Sequence, residues 1–508
     1  MMKLNLESVK KSELWPEGYE LPKFDIAEMA TRTAMEPTWL HMGAGNIFRI
    51  FVAGVQQDLI ESGLADKGII VYEAFDEGII PASFKPYDNL TLGVTLYASG
   101  SVKKRVIASM PDAFSNDLVR LRQLIATPSL QIISFTITEN GYVVKPENVC
   151  LGPRNAHTTM EQVAAGLLSR FEVEGPPLAL VTMDNFAENG TKLSNAVLTI
   201  AEAWEKAGKV PIEFIDYVRT QAFPWTMIDK ITPRPSEDIA ALLAKDGYKD
   251  TEITKTQRNT FVASFVNAES AQYLIIEDNF PNGRPPLEKA GVYMTDRETV
   301  RKMDSMKVCA CLNPLHTALA TAGMMLELPT VSACMKDPRL VKFLRTAAGE
   351  ALPVVSDPGI IDPKKFLEEV LTERFPNPFI PDTPARIACD NSQKIPVRFG
   401  EMLKARKAQN LPTAELEAFP LFAALWLRYL MGKNDRGQEM AISPDPLLPE
   451  AFKPLHELQF GEKIDLRPML SHAATFGVDL YEAGLGEKIE GIFAKLSTGA
   501  GAVNQVLG

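Results

Sequence analysis

At 508 residues the chain is too long for a single hydrophobic core, because domains cluster at roughly 100–250 residues, so two or more domains are expected. Hydrophobic residues at 46% and charged residues at 23% exclude a disordered or membrane-embedded class. A net charge of −11 excludes the basic footprint of a nucleic-acid binder, and no apolar run reaches the roughly 18 residues of a membrane span. The opening segment also lacks the apolar core of a signal peptide. The expectation is a cytoplasmic protein with no nucleic-acid or membrane partner, and composition alone names no function.

In chain order, residues 36–55 (EPTWLHMGAGNIFRIFVAGV) read as a short strand, a glycine turn and an apolar-periodic helix. GIIVYEAF at 68–75 is the next strand, which completes a β-turn-α-β unit. LQIISFTI at 130–137 and PLALVTM at 177–183 are apolar runs that end in polar clusters, as buried parallel strands do. From about residue 297 helical periodicity dominates, over 313–327, 338–351, 414–432 and 484–496, between proline-rich turns. Proline and glycine cluster at 280–291, and the boundary is drawn there. The expected architecture is α/β: residues 1–288 with a parallel-rich sheet, and residues 289–508 largely α-helical. No function is read for the proline-rich stretch 434–469.

Gly43-Ala44-Gly45-Asn46-Ile47-Phe48 begins like a dinucleotide fingerprint, in which the first glycine makes the turn and the second admits a pyrophosphate to a helix N-terminus. Phe48 stands where a third glycine is usual, and an ordinary tight turn is the alternative. Glu73 ends the second strand, where an acid would bind an adenosine ribose diol and repel a 2′-phosphate, favouring NAD over NADP. Its distance from the glycines exceeds the usual spacing of about 20 residues, and Asp76 is the rival acid. Thr138 and Glu139, at the end of the third strand, are candidates for nicotinamide contact, with a plain turn as the alternative.

The five cysteines, Cys150, Cys309, Cys311, Cys334 and Cys389, are an odd number spread over a long chain, which suits reduced thiols. Cys309 and Cys311 form the only close pair and read as small buried side chains in preference to a zinc site, so no metal is assigned.

Four polar islands interrupt the apolar pattern, at 182–190 (TMDNFAENG), 223–233 (FPWTMIDKITP), 307–316 (KVCACLNPLH) and 386–394 (RIACDNSQK). In order and spacing they resemble the polyol-specific long-chain dehydrogenases, the mannitol dehydrogenase family, over nearly the whole chain. The resemblance implies a Rossmann-type, NAD-binding domain at 1–288 and a helical substrate and catalytic domain at 289–508, in an NAD-dependent, metal-independent dehydrogenase, a monomer or small homo-oligomer, acting on a small-molecule acyclic sugar acid or polyol in a cleft between its domains. Lys307 would be the acid/base, with Asn185, Asn313 and His316 completing the catalytic set. Asp229, Arg386 and Lys394 would bind substrate, and Gly43, Gly45, Asn46, Ile47, Phe48, Glu73, Thr138 and Glu139 the cofactor. A lysine suits the proton transfer when its surroundings bring its pKa toward working pH, and amide N–H groups suit the developing alkoxide. Taken singly, these residues read better as a surface lysine, a helix cap and a core histidine; their joint placement reverses that reading.

The form KVCACLNPLHTALA favours the uronate-reducing branch, interconverting D-fructuronate and D-mannonate. Mannitol, arabinitol or altronate are alternative substrates, and a non-catalytic NAD-binding sensor is a further alternative. The family's motif has four residues between lysine and asparagine, whereas this chain has five, followed by Pro314. On a regular helix the extra residue would swing Lys307 by about 100°. Either a π-bulge or a helix restarting at Asn313 as N-cap, with Pro314 at its first position, would absorb it.

Overall fold

The computed structural model describes residues 2–508. It divides into two compact units within the helix Arg297–Met306: one runs to Arg301 apart from Ala98–Gly100, and the other joins that tripeptide to Lys302–Gly508. No helix of the described residues is long and apolar enough to cross a membrane.

The first unit is built on five parallel strands, β1 (Trp39–Met42), β2 (Ile70–Glu73), β3 (Asp112–Ser115), β4 (Ile132–Phe135) and β5 (Ala179–Thr182), in the order β3-β2-β1-β4-β5. Four of them are buried along their whole length, which is why they read as continuous apolar runs without alternation. Successive side chains enter opposite cores: Trp39, Val71, Ile132 and Val181 face one, and Leu40, Tyr72, Ile133 and Leu180 the other. This is the doubly wound order, whose direction of progression reverses beside β1, and ligands collect outside the carboxyl ends at such a switch point.

Three smaller sheets accompany it. A mixed sheet joins Tyr19–Glu20, Val102–Ile107, Thr91–Leu96 and Phe265–Glu269, and a hairpin pairs Ile253–Lys255 with Phe261–Ala263. Thr226–Asp229 runs antiparallel to Tyr273–Glu277, which pairs in parallel with Tyr293–Thr295. These short pieces lack a long apolar run, and their partners lie far away in sequence, so local pattern does not announce them.

The second unit is helical, as its periodicity indicates. Asn313–Met325 lies at its centre, packed by Val331–Cys334, Pro338–Ala351, Pro384–Ile387 and Ala418–Tyr429. Ala418–Tyr429 (AFPLFAALWLRY) is almost wholly apolar, with Arg428 its one charged residue, and is a core helix. Proline opens several helices directly after an oxygen-bearing cap, as in Asp337-Pro338, Asp362-Pro363 and Thr383-Pro384, because the first turn needs no N–H from it.

The stretch 434–469 braces this unit. The Asp435 carboxylate accepts the N–H groups of Val503 and Asn504, and that of Asp445 accepts the N–H and hydroxyl of Ser392. The buried Arg428 donates to the carbonyls of Leu496, Lys433 and Asn434.

Candidate functional site

In the first unit the glycine turn leaves the end of β1. Gly43 has φ +108°, and a Cβ there would lie 2.3 Å from the Thr136 carbonyl oxygen, so only glycine fits. Gly45 has open space beside its Cα and immediately precedes the N-terminus of a helix, the end at which backbone N–H groups are left for an anion. This cradle suits a pyrophosphate. Asn46 and Ile47 begin the helix, which widens into a π turn over Phe48–Val52. Phe48 is buried and stacks flat on His41, with ring centroids 3.8 Å apart and an interplanar angle of 7°. The missing third glycine is thereby explained: it normally allows close helix–strand approach, and here the widened turn and an aromatic pair fill the gap. His41 bonds the Ser134 and Thr136 hydroxyls, at 2.7 and 2.9 Å, and burial lowers its pKa to about 3.

Glu73 is bent back onto the turn. Its carboxylate accepts the Ala44 N–H at 2.7 Å and those of Phe75 and Asp76 at 2.9 and 3.0 Å, bracing the glycine turn from the end of β2. Asp76 is buried and accepts the Thr256 hydroxyl at 2.7 Å. Beside these strand ends lies a cavity of about 420 Å³ whose walls include Phe75, Asn116, His157 and Arg258, with the Arg258 guanidinium 4.3 Å over the exposed Phe75 ring. Arg258 belongs to a hairpin distant in sequence and carries no local signal.

A second cavity, of about 360 Å³, brings together five residues singled out from the sequence: Ile47, Thr138, Glu139, Asn185 and Asp229. Asp184 also lines it and was not foreseen. Its carboxylate accepts the N–H groups of Ile137 and Thr138, at 2.8 and 3.0 Å, and the Tyr142 hydroxyl at 2.7 Å. Burial pushes its pKa up, against those donors. Asp229 is buried at the end of its strand.

In the second unit Lys307, only 3% exposed, opens a π turn over Lys307–Cys311. The Leu312 N–H reaches the Lys307 carbonyl at 3.2 Å, and a new helix starts at Asn313. Both expected escapes are therefore used, with one correction: the N-cap is Leu312, at φ −130° and ψ −63°, and Pro314 follows Asn313 inside the first turn. Asn313 has helical geometry because the break falls one residue earlier, where the π turn ends. Asp304, one turn before Lys307, is the neighbour whose carboxyl feels its charge; burial raises that carboxyl's pKa while Lys307 opposes the rise. Burial pushes the Cys309 and Cys311 thiols up to about 11 and 12, so they stay neutral packing groups.

His316 and Arg386 meet at Asp382, a second residue not foreseen. His316 Nε2 lies 3.3 Å from one carboxylate oxygen, and the Arg386 guanidinium grips the other while remaining largely exposed. Burial lowers the His316 pKa, opposed by Asp382, and its ring lies 5.0 Å from that of Phe375. Burial works against ionisation of Asp382, yet His316 and Arg386 hold its pKa below the ordinary value.

Lys394 donates to the Ile387 and Cys389 carbonyls at 3.1 and 2.5 Å, which ties it to the turn carrying Arg386; burial, reinforced by Arg398, lowers its pKa. Arg398, also missed, donates to the Asn313 carbonyl at 3.3 Å and to the Thr317 hydroxyl, and burial lowers its pKa to about 10.

Among the described residues one set of three metal-ligand side chains lies together, Cys150, His157 and Glu161. There the Glu161 carboxylate is occupied by the N–H groups of Cys150, His157 and Thr158, as part of a helix-capping box. That accounts for Glu161 as a structural cap.

Comparison with known proteins matches residues 37–289 to the mannitol dehydrogenase Rossmann domain and residues 299–496 to the mannitol dehydrogenase C-terminal domain. The D-mannonate oxidoreductase of Thermotoga maritima is 47% identical, with the alignment covering 100% of this chain and 98% of that protein. Two solved structures share the fold. A substrate-free D-sorbitol dehydrogenase has a TM-score of 0.83 at 24% identity, covering 100% of both chains. The Pseudomonas fluorescens mannitol 2-dehydrogenase complex with NAD and D-mannitol has a TM-score of 0.72 at 23% identity, covering 100% of this chain and 99% of that one.

Proposed function

The chain belongs to the mannitol dehydrogenase family of NAD-dependent oxidoreductases, and on that premise we propose that it interconverts D-mannonate and D-fructuronate, with Lys307 as the acid/base. The observation that carries the choice of substrate is the likeness, over the full chain, to the Thermotoga maritima D-mannonate oxidoreductase. The cationic residues Arg386 and Lys394 support it. A guanidinium offers a carboxylate two parallel hydrogen bonds, and an ammonium adds a compact charge.

The turn at Gly43 and Gly45 fits the pyrophosphate of NAD, and Thr138 and Glu139 would face the nicotinamide end. Glu73, held against the Ala44 N–H, presents negative charge where a 2′-phosphate would have to lie. NAD when bound supplies or accepts the hydride at the substrate carbon. In oxidation of the alcohol, neutral Lys307 takes the hydroxyl proton; in reduction of the ketone, its ammonium returns it. The side-chain amides of Asn185 and Asn313 donate to the substrate oxygen while it carries negative charge. His316, with Nε2 directed at Asp382, keeps Nδ1 for a substrate hydroxyl.

Steady-state assays with NAD⁺ and either D-mannonate or D-mannitol test the proposal. The expectation is turnover of D-mannonate with a kcat/KM at least about a hundredfold above that for D-mannitol, which lacks the carboxylate that Arg386 and Lys394 would bind. Turnover of D-mannitol alone would reject the sugar-acid assignment.

A further inference from the structure

The turn after β4 is held in a shape its own sequence resists. Thr138 has φ +65° and ψ 159°, a region of backbone space that residues bearing a Cβ avoid and that glycine enters freely. Such a conformation persists only where the surroundings over-determine it, and here three donors converge on one carboxylate. The Ile137 N–H and the Tyr142 hydroxyl reach one oxygen of Asp184, and the Thr138 N–H reaches the other. Tyr142 is fixed in turn by the Thr182 hydroxyl at 2.6 Å and by the Phe186 ring, 5.2 Å away. The backbone of Asp184 is held from behind, where the Asn189 amide donates to its carbonyl at 3.1 Å and to that of Thr226 at 3.0 Å. Thr138, Glu139, Asp184 and Asn185 line the same cavity.

We propose that Asp184 is a positioning residue, whose carboxylate clamps the Thr138 turn in its strained conformation and so holds that turn in register with the adjoining Asn185 amide. The inference rests on the reading that this cavity receives the nicotinamide end of the cofactor. A carboxylate is needed because it is acceptor-only. An amide in its place would set an NH₂ against one of the two backbone N–H groups, and without the clamp the turn relaxes to negative φ, carrying Thr138 and Glu139 away from the cofactor.

The test uses four full-length proteins: wild type, Asp184→Asn, Thr138→Gly and the double variant. For each, NADH dissociation constant, steady-state kinetics and thermal midpoint are measured. Asp184→Asn should weaken NADH binding and raise the KM for NAD⁺ at least about tenfold, the worth of one charge-assisted hydrogen bond, with a smaller change in kcat. Thr138→Gly should raise the thermal midpoint by relieving strain, and Asp184→Asn should lower the midpoint less when position 138 is already glycine. A folded Asp184→Asn protein that binds NADH within twofold of wild type would overturn the positioning role. Thr138→Gly lowering the midpoint would overturn the strain that motivates it, and this variant decides the matter if Asp184→Asn does not fold. A wild type that fails to bind NADH would sink the cofactor reading instead, and the clamp is then judged on the thermal midpoints alone.

Discussion

Lys307 shows how a residue's environment sets up a proposed role. It is almost fully buried, opens an irregular turn, and has Asp304 as a charged neighbour one turn earlier. Lys307→Ala is expected to reduce kcat by about 10²–10⁴-fold, the usual worth of a positioned acid/base, while leaving the NADH dissociation constant within about threefold. Turnover close to wild type would remove Lys307 from the mechanism.

His41 makes a different kind of prediction, about stability. Its folded pKa, about 3, lies below the value near 6.5 of an unfolded histidine, so between those limits the unfolded chain binds one more proton than the folded one. Stability from this group is therefore full above about pH 6.5 and falls as the pH drops, by about 1.4 kcal/mol per pH unit until about pH 3. Comparing denaturant unfolding of wild type and His41→Gln at several acidic pH values isolates this slope; equal slopes would show that His41 is not the group responsible.

At the scale of elements, the insertion between Lys307 and Asn313 was legible as a conflict between spacing and helix geometry. The structure resolves it with a π turn followed by a break at Leu312. Deleting Val308 from that turn would return the spacing to the family's four residues and allow ordinary helix pitch, so that Lys307 keeps its direction relative to Asn313 and His316. The expected outcome is turnover well above that of Lys307→Ala, with far-ultraviolet circular dichroism and NADH binding retained. Turnover as low as that of Lys307→Ala would show that the π turn does more than absorb the extra residue.

A second π turn, at Phe48–Val52, was not legible, although the missing third glycine was its trace: Phe48 needs room to stack on His41, and that need arises only once helix and strand meet. The acids follow the same division. Glu73 could be named because it ends a recognisable strand, whereas Asp184 and Asp382 stand out only when their donors are assembled around them.

For the whole molecule, cofactor binding to the folded state alone should register as added stability. NADH at about 100 times its dissociation constant contributes about 2.7 kcal/mol, which for units of this size raises a thermal midpoint by several degrees. NADPH at the same concentration should give a much smaller shift if Glu73 has the proposed role of repelling a 2′-phosphate. Equal shifts would argue that the two cofactors are not distinguished there.

The sequence by itself determined the class of each half. Strands buried on both faces must read as unbroken apolar runs, and helices on a core must repeat their apolar residues with helical period; both patterns are local. It also marked Lys307, Asn313 and His316 and the irregularity between them, since motif spacing and helix pitch are both countable along a chain. Only the tertiary structure decided which groups face one another: that Glu73 braces the glycine turn, that Asp382 joins His316 to Arg386, that Asp445 anchors the helix carrying Lys394, and that Asp184 holds Thr138. The physical reason is that a hydrogen bond or ion pair acts over a few ångströms in space. Partners separated by tens of residues leave no mark on the pattern around either one.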